Sequence, residues 1–390
     1  MSETVQISSK KTIALVTDDT TKSNYQQVEL FNGIAQYAIE HNNYIIEQLN
    51  ARAIDVNEPF LNFDGIILHS SLSAALVEKI KATGLPIVDL TGEYEDDKQI
   101  ISVDSDAYKL GELAAEWFLR RGFTNFAIFG FKGLRFDSHM SDGFTSTLGK
   151  CGYGCDIKLR RPTCIPNEEF ESYNRKLQEW VSGLPRKTAV FCHSPLLASQ
   201  LVTLSLKCGM DVPREIAVMG AGNDIPLCTL QSMTISSVDE NMQGVGYAAM
   251  RVMAHILEHP VRPKNRRKFC VPPIGVVERE STRVYPVDPP WLANLLLVLD
   301  DNMNRSYTVQ ELAALAKVSQ PTLQKAFNQT FGMTAGKYIT TIKMREAKRL
   351  IDMKKFSLKE IAARLDFSSP AYFSYAYVSF YGHPPKDDMD

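Results

Sequence analysis

The chain writes one short text twice. "TVQELAALAKVSQPTLQKAF" begins at Thr308 and "SLKEIAARLDFSSPAYFSYAY" at Ser357. In the first copy Leu312, Ala313 and Ala316 recur on one helical face, "KVSQ" turns the chain, and Leu323, Ala326 and Phe327 face back inward. In the second, Ile361, Ala362 and Leu365 precede "DFSS", and Phe373, Ala376 and Tyr377 follow. A small residue, Ala313 or Ala362, lets two helices cross closely, and Ser319 or Ser369 stands where a helix needs a cap. Pro321 and Pro370 fall in the first turn, where a missing N–H costs little. Each copy therefore predicts a helix-turn-helix. One copy alone reads equally well as a packed helical hairpin. Two copies are joined by "ITTIKMREAKRLIDMKK", which predicts a long amphipathic helix with Ile339, Ile342, Ala347, Leu350 and Ile351 inward and Lys343, Arg345, Lys348 and Arg349 outward.

Upstream the pattern changes. From about residue 12 to 280, near-continuous apolar runs ("TIALVT", "NYIIEQL", "FDGIILH", "PIVDLT", "IISVD", "FAIFGF", "TAVFCH", "IAVMGAG") alternate with helical stretches. Such runs predict parallel strands covered on both faces, a doubly wound α/β fold. Eight strands are better housed in two sheets than in one, with the break expected near Gly122 to Asn125. Pro286, Pro289 and Pro290 interrupt helix and strand alike. The expected division is residues 1–283 as a two-lobed α/β domain, 284–290 as a linker and 291–390 as an all-α domain with two helix-turn-helix units.

Composition narrows the class. With 390 residues, 44% of them hydrophobic, the chain can bury large cores and is neither fibrous nor disordered. The opening "MSETVQISSKK" has no apolar export stretch and no run of eighteen apolar residues occurs. A cytoplasmic protein with no membrane partner is expected, its seven Cys mostly free thiols. Cys151, Cys155 and Cys164 match no zinc spacing, so neither a metal nor a cofactor is expected. The net charge of −2 confines any nucleic-acid function to a local patch. The run "RPKNRRK" from Arg262 reads as a solvated loop.

The C-terminal text resembles the DNA-binding domain of the AraC-type family. The matching pieces are "ELA", "VS", "LQKAF" and "FG" in the first unit and "SLKEIA", "FSS", "YFS" and "YG" in the second. The resemblance implies that the second helix of each unit enters the major groove of double-stranded DNA, two successive grooves being read by one polypeptide. The base-reading candidates are Gln320, Thr322, Gln324 and Lys325 in the first unit and Ser368, Ala371, Ser374 and Tyr375 in the second. Lys325 stands where the family commonly has Arg. After "YFS", where the family usually has basic residues, this chain has Tyr375, Tyr377, Val378 and Ser379. Residues 291–390 carry about 13 basic and 10 acidic side chains, a modest excess for a DNA binder. Fewer cations displace fewer counterions, so the second unit is expected to bind DNA more weakly.

The α/β part resembles the sugar-binding core of lac-repressor-type regulators and periplasmic sugar-binding proteins. The resemblance rests on "SVDSDAYKLGELAAEWFLRRG", "GMDVPREIAVMGAGND" and "PPIGVVERES". It implies a periplasmic-binding-protein-like fold with an effector held between two lobes at strand C-terminal ends. The candidates there are Asp18, Asp19, Asp104, Arg135, Phe136, His193, Asn223 and Asp224. Three departures stand out: Gly222 and Ser194 where the family has acids, and Met140 where it has Arg. A neutral pentose and an acidic sugar such as a uronate both stay open as effector.

Together the two resemblances imply a homodimeric transcription regulator of sugar catabolism genes. It would sense xylose or a related sugar or sugar acid and, as an activator, act on RNA polymerase at the bacterial nucleoid. The same architecture sensing a non-sugar metabolite is the alternative. An enzyme is disfavoured, because the chain has no phosphate-cradling Gly-rich loop, nucleophile elbow or paired carboxylate motif.

Overall fold

A computed structural model describes residues 10–17, 25–51, 54, 60, 62–70, 72–161, 167–259, 268–352 and 356–389. In chain order the α/β part runs β1 (Lys11–Thr17), α1 (Tyr25–His41), β2 (Tyr44–Asn50), β3 (Gly65–His69), α2 (Ala74–Ala82), β4 (Ile87–Asp89), β5 (Ile100–Ser105) and α3 (Ala107–Arg120). It continues with β6 (Asn125–Phe131), α4 (Arg135–Lys150), β7 (Asp156–Arg160), α5 (Asn167–Gly183), β8 (Thr188–Cys192), α6 (Pro195–Lys207), β9 (Ile216–Ala221) and α7 (Ile225–Thr229). Then come β10 (Ser236–Asp239), α8 (Met242–Glu258), β11 (Lys268–Val271) and β12 (Gly275–Val277). The helical part holds α9 (Pro290–Asp301), α10 (Val309–Leu315), α11 (Gln320–Phe331), α12 (Ala335–Asp352), α13 (Leu358–Arg364) and α14 (Pro370–Tyr381).

The strands form two six-stranded sheets, ordered β11-β5-β4-β3-β1-β2 and β12-β10-β9-β8-β6-β7. Every pairing is parallel except β10 with β12. The eight apolar runs are all strands. Strands also follow the basic run, as β11, and lie in "PPIGVVERES", as β12, whereas the edge strand β7 and the serine-rich β10 were not expected, because neither carries a continuous apolar run.

The first lobe is assembled from three pieces of chain, residues 1–109, 222–226 and 240–273, so the division is not the single break expected near Gly122. One core layer joins Ile13, Leu15, Leu30 and Ile34 to Val245, Met250 and Met253 of α8. Helices α1 and α8 cross at backbone distance: a Cβ at Gly33 would stand 1.9 Å from the Gln243 carbonyl, and one at Gly246 2.0 Å from that of Leu30. Only glycine fits either crossing point.

The second lobe packs Phe129, Val190 and Val218 of its sheet against Leu197, Leu201 and Val202 of α6. The helical part has two cores of its own. Leu292, Leu295, Leu312, Leu323, Phe327 and Tyr338 fill the first; Met344, Ala347, Ile351, Ile361, Phe373 and Tyr377 fill the second. Helix α12 therefore belongs to both. Its Lys343 is not outward, as its charge suggested, but buried. The Lys343 ammonium donates to Ser306 Oγ at 3.2 Å and lies 5.7 Å from the Phe367 ring, and burial pushes its pKa down. Residues 284–290, read as a linker from their prolines, are packed as well: Tyr285 and Val287 are buried in the first helical core.

Candidate DNA-reading and effector sites

The two helix-turn-helix units are built from the same local devices. Thr308 and Glu311 form a capping box at α10, and Ser357 and Glu360 form one at α13. The turns pass through left-handed residues at matching places, Lys317 (φ 56°) and Asp366 (φ 54°). Ser319 caps α11 and Ser369 caps α14, with Oγ accepting from Thr322 N–H (3.3 Å) and Tyr372 N–H (3.1 Å). Gly332 and Gly382 end these helices in the left-handed conformation that glycine adopts without a steric penalty. The second turn is one residue longer: Val318 matches Phe367 at an offset of 49, and Ser319 matches Ser369 at an offset of 50.

Of the candidate base readers, Gln320, Thr322 and Lys325 are exposed on α11, and Ser368, Ala371 and Tyr375 are exposed on or beside α14. Gln324 and Ser374 are half-buried. The Gln324 carbonyl already accepts the Ala335 N–H at 3.2 Å, which ties α11 to the start of α12. The units are also tied to each other. Asp366 Oδ2 accepts the Ser306 N–H at 2.7 Å, and Ser306 Oγ donates to the Asp366 carbonyl at 3.2 Å. With Lys343 beneath, these contacts fix the second turn against the loop that precedes the first unit.

A buried arginine joins the helical part to the second lobe. Arg121, at the end of α3, is 6% exposed. Its Nη2 donates to Glu278 Oε2 (2.5 Å), beyond β12, and to Asp300 Oδ2 (3.0 Å) on α9. Its guanidinium lies 4.4 Å from the Trp117 ring and 4.5 Å from the Tyr285 ring, while Tyr285 Oη donates to Asp300 at 2.9 Å. Burial opposes the Arg121 charge, but Tyr285, Asp300 and Glu278 outweigh it and hold the guanidinium above its ordinary value. Burial pushes the Glu278 and Asp300 carboxyls upward against the opposing pull of Arg121.

The effector candidates fall into separate groups. Asp18 and Asp19 lie outside the described residues. Asp104, Asn223 and Asp224 belong to the first lobe, Arg135, Phe136 and His193 to the second. Burial pushes the Asp104 carboxyl up to about 7, so it titrates near neutrality. Asn223 and Asp224 are buried just past β9, Asn223 in a left-handed conformation (φ 41°). Arg135 is exposed and Phe136 half-buried at the start of α4.

His193 is fully covered, and its partners are internal. Its Nδ1 accepts the Phe131 N–H at 3.2 Å, which leaves the proton on Nε2 to donate to Ser141 Oγ at 2.9 Å. Asp137 Oδ2 is buried 3.6 Å from the same ring. Gly130 makes the room: a Cβ there would stand 2.2 Å from His193 Nδ1.

The three departures from the sugar-binding pattern have structural answers. The side-chain space at Gly222 (φ 104°) is filled by Gln26, whose Nε2 donates to the Gly222 carbonyl (3.0 Å) and to Glu240 Oε2 (3.1 Å). Gln26 was missed from sequence because it comes from a helix almost two hundred residues upstream. Ser194 caps α6, its Oγ accepting the Leu197 N–H at 3.2 Å. Met140 is a core residue of α4, its carbonyl facing Gly111 of α3.

Cys164 and residues 262–267 of the basic run lie outside the described residues. Cys151 and Cys155 are free, and burial pushes the Cys155 thiol up to about 12. Among the described residues no group of His, Cys, Asp or Glu is arranged to hold a metal, and no helix is long and apolar enough to cross a membrane.

Two family models match parts of the chain. Residues 102–282 match the periplasmic binding protein-like domain and residues 312–389 a helix-turn-helix domain. The chain is a DNA-binding transcription regulator, similar to the AraC type, with a sugar-binding-like α/β domain preceding its paired helix-turn-helix units.

Its likeness extends over nearly the whole length of one kind of regulator. It is 23% identical over 372 residues, 93% of both chains, to the xylose operon regulatory protein of Escherichia coli (strain K12). To the xylose operon regulatory protein of Haemophilus influenzae it is 23% identical over 334 residues, 84% of this chain and 85% of that one. In fold it matches the xylose-binding transcription activator xylR, with a TM-score of 0.60 at 21% identity over 98% of each chain. A LacI family regulator from Enterococcus faecium with bound ribose matches 71% of this chain over 100% of its own, with a TM-score of 0.54 at 19% identity.

Proposed function

We propose that this protein is a cytoplasmic activator of sugar catabolism genes that senses xylose or a closely related sugar and binds paired DNA half-sites as a homodimer. In this reading it is not an enzyme. Residues 1–283 sense, residues 284–290 join, and residues 291–390 read DNA and bring RNA polymerase to the promoter. The observation that carries the reading is the Arg121 joint. A charge buried among two carboxylates and two rings couples a sugar-binding-type lobe to a paired DNA reader, and such a contact has few alternative arrangements.

An effector acts through its differential affinity for the sensor's arrangements. A coupling of about 1–3 kcal/mol is ordinary for such devices. Asp104, Asn223, Asp224, Arg135 and Phe136 are the proposed effector contacts. His193, whose hydrogen bonds are internal, is proposed to position the Phe131 backbone and Ser141 rather than to touch the sugar. Gln320, Thr322 and Lys325 are the proposed base readers of the first unit, with Gln324 supporting α12.

The test is thermal unfolding of the full chain with D-xylose, D-ribose, D-glucuronate and xylitol, followed by DNA affinity with the compound that shifts it. Ligand at a hundredfold excess over its Kd stabilises by about 2.7 kcal/mol. A shift with xylose or a related sugar and a changed DNA affinity are expected. A shift with none of the four, or a shift that leaves DNA affinity unchanged, sinks the sugar-sensing reading.

A further inference from the structure

The outward face of α14 differs in chemistry from that of α11. At an offset of 50, Thr322 is matched by Tyr372, Lys325 by Tyr375 and Asn328 by Val378. Tyr375 is 72% exposed, Tyr372 54% and Val378 40%; Ala371 is exposed beside them. All twelve residues of α14 are uncharged. The opposite side of the helix, Phe373 and Tyr377, already fills the second core, so folding does not account for an apolar stripe facing outward.

We propose that α14 recognises thymine C5 methyl groups in the major groove, with Ala371 and Tyr375, one helical turn apart, packing against them and Tyr372 flanking. The thymine methyl is the apolar group that a base edge presents in that groove; the other edge groups are hydrogen-bond donors and acceptors. A face of Ala, Tyr and Val suits the methyl and serves the others poorly. DNA is the occupant because the stripe occupies, in the second unit, the exposed positions that match the proposed base readers Thr322 and Lys325 of the first. Both helices follow a turn with one left-handed residue, carry a serine cap and end in a left-handed glycine, and Lys343, Ser306 and Asp366 lock the units together. The inference rests on the DNA-reading role proposed above and adds the chemistry of its second half-contact.

The test uses the full chain, with D-xylose present, to select duplexes from a random-sequence pool. Thymines of the selected duplex are then replaced by deoxyuridine, which removes the methyl alone, in one groove at a time. In the groove covered by α14, affinity is expected to fall about fourfold per methyl, the factor given by burying one methyl-sized group. Tyr375→Ala should abolish that sensitivity and Tyr375→Phe retain it; both change an exposed side chain, and an unchanged Tm confirms that each variant folds. A footprint of two grooves with no deoxyuridine effect, or a footprint of one groove, overturns the proposal, leaves the regulator reading standing and assigns the stripe to a protein surface. Failure to enrich any duplex removes both readings.

Discussion

Where α11 turns Gln320, Thr322, Lys325 and Asn328 outward, α14 turns Pro370, Tyr372, Tyr375 and Val378, yet both helices start on a serine cap, run twelve residues and stop at a left-handed glycine. Inside, the match is equally close: Leu323, Ala326 and Phe327 are answered by Phe373, Ala376 and Tyr377. The fold constrains caps, turn and inner face and leaves the outer face free. Two copies of one device can therefore carry different chemistry. As proposed, the first reads by hydrogen bonds and charge and the second by apolar contact.

The largest test of the comparison is a change that should strike both units alike. Arg121 anchors the helical part, so Arg121→Ala is expected to destabilise the protein by about 3 kcal/mol, the low end of the cost of breaking a buried ion pair, because Arg121 is buried while Glu278 and Asp300 are only partly covered. Urea unfolding measures it. A loss below about 1 kcal/mol would mean that the joint is weaker than its geometry indicates.

Lys343→Ala removes a buried aliphatic stem and the tie to Ser306. It is expected to cost about 2 kcal/mol and to uncouple the units, so that DNA protection shrinks toward one groove while the other half-contact persists. Unchanged two-groove protection would show that the α12 core alone sets the spacing.

Next in size, Lys325→Ala should weaken DNA binding about tenfold and lower the slope of log K against log salt by about 0.9, one counterion's worth. Tyr375→Ala should weaken binding without altering that slope. Equal slope changes from the two variants would erase the contrast between the faces.

The smallest effect tests the sameness rather than the difference. Ser319→Ala and Ser369→Ala each remove one cap and should each cost about 1 kcal/mol. Unequal costs, read by thermal unfolding, would point to the extra residue in the second turn.

Both helix-turn-helix units and the α/β class were legible in sequence because their signals are local: apolar runs, capping residues and a repeated text. Edge strands such as β7, "DIKLR", were not, since a half-covered strand has no continuous apolar run. Lys343 was misplaced because charge was taken as a sign of exposure, whereas a long aliphatic stem under Phe367 lets an ammonium sit inside. Gln26 illustrates the harder limit. Its role at Gly222 depends on a contact 196 residues apart, and nothing in either stretch announces the other. The effector candidates were drawn from strand ends alone, which located His193 but not that its ring is enclosed by Gly130, Phe131 and Ser141.

The glycine crossing of α1 and α8 sets an order of events during synthesis. Strands β1 to β5 emerge from the ribosome long before the helix that covers them, because α8 follows the whole run of β6 to β10. At 5–20 residues per second, the intervening chain of roughly 135 residues takes on the order of ten seconds to make. Through that interval Leu30, Ile34 and their neighbours lack Val245, Met250 and Met253, and the first lobe has an open apolar face. The second lobe, whose parallel strands β6 to β9 arrive together with α4, α5 and α6, can close its sheet sooner. The half of the sensor translated first thus waits longest for its covering helix, and a holding chaperone has the most to protect there.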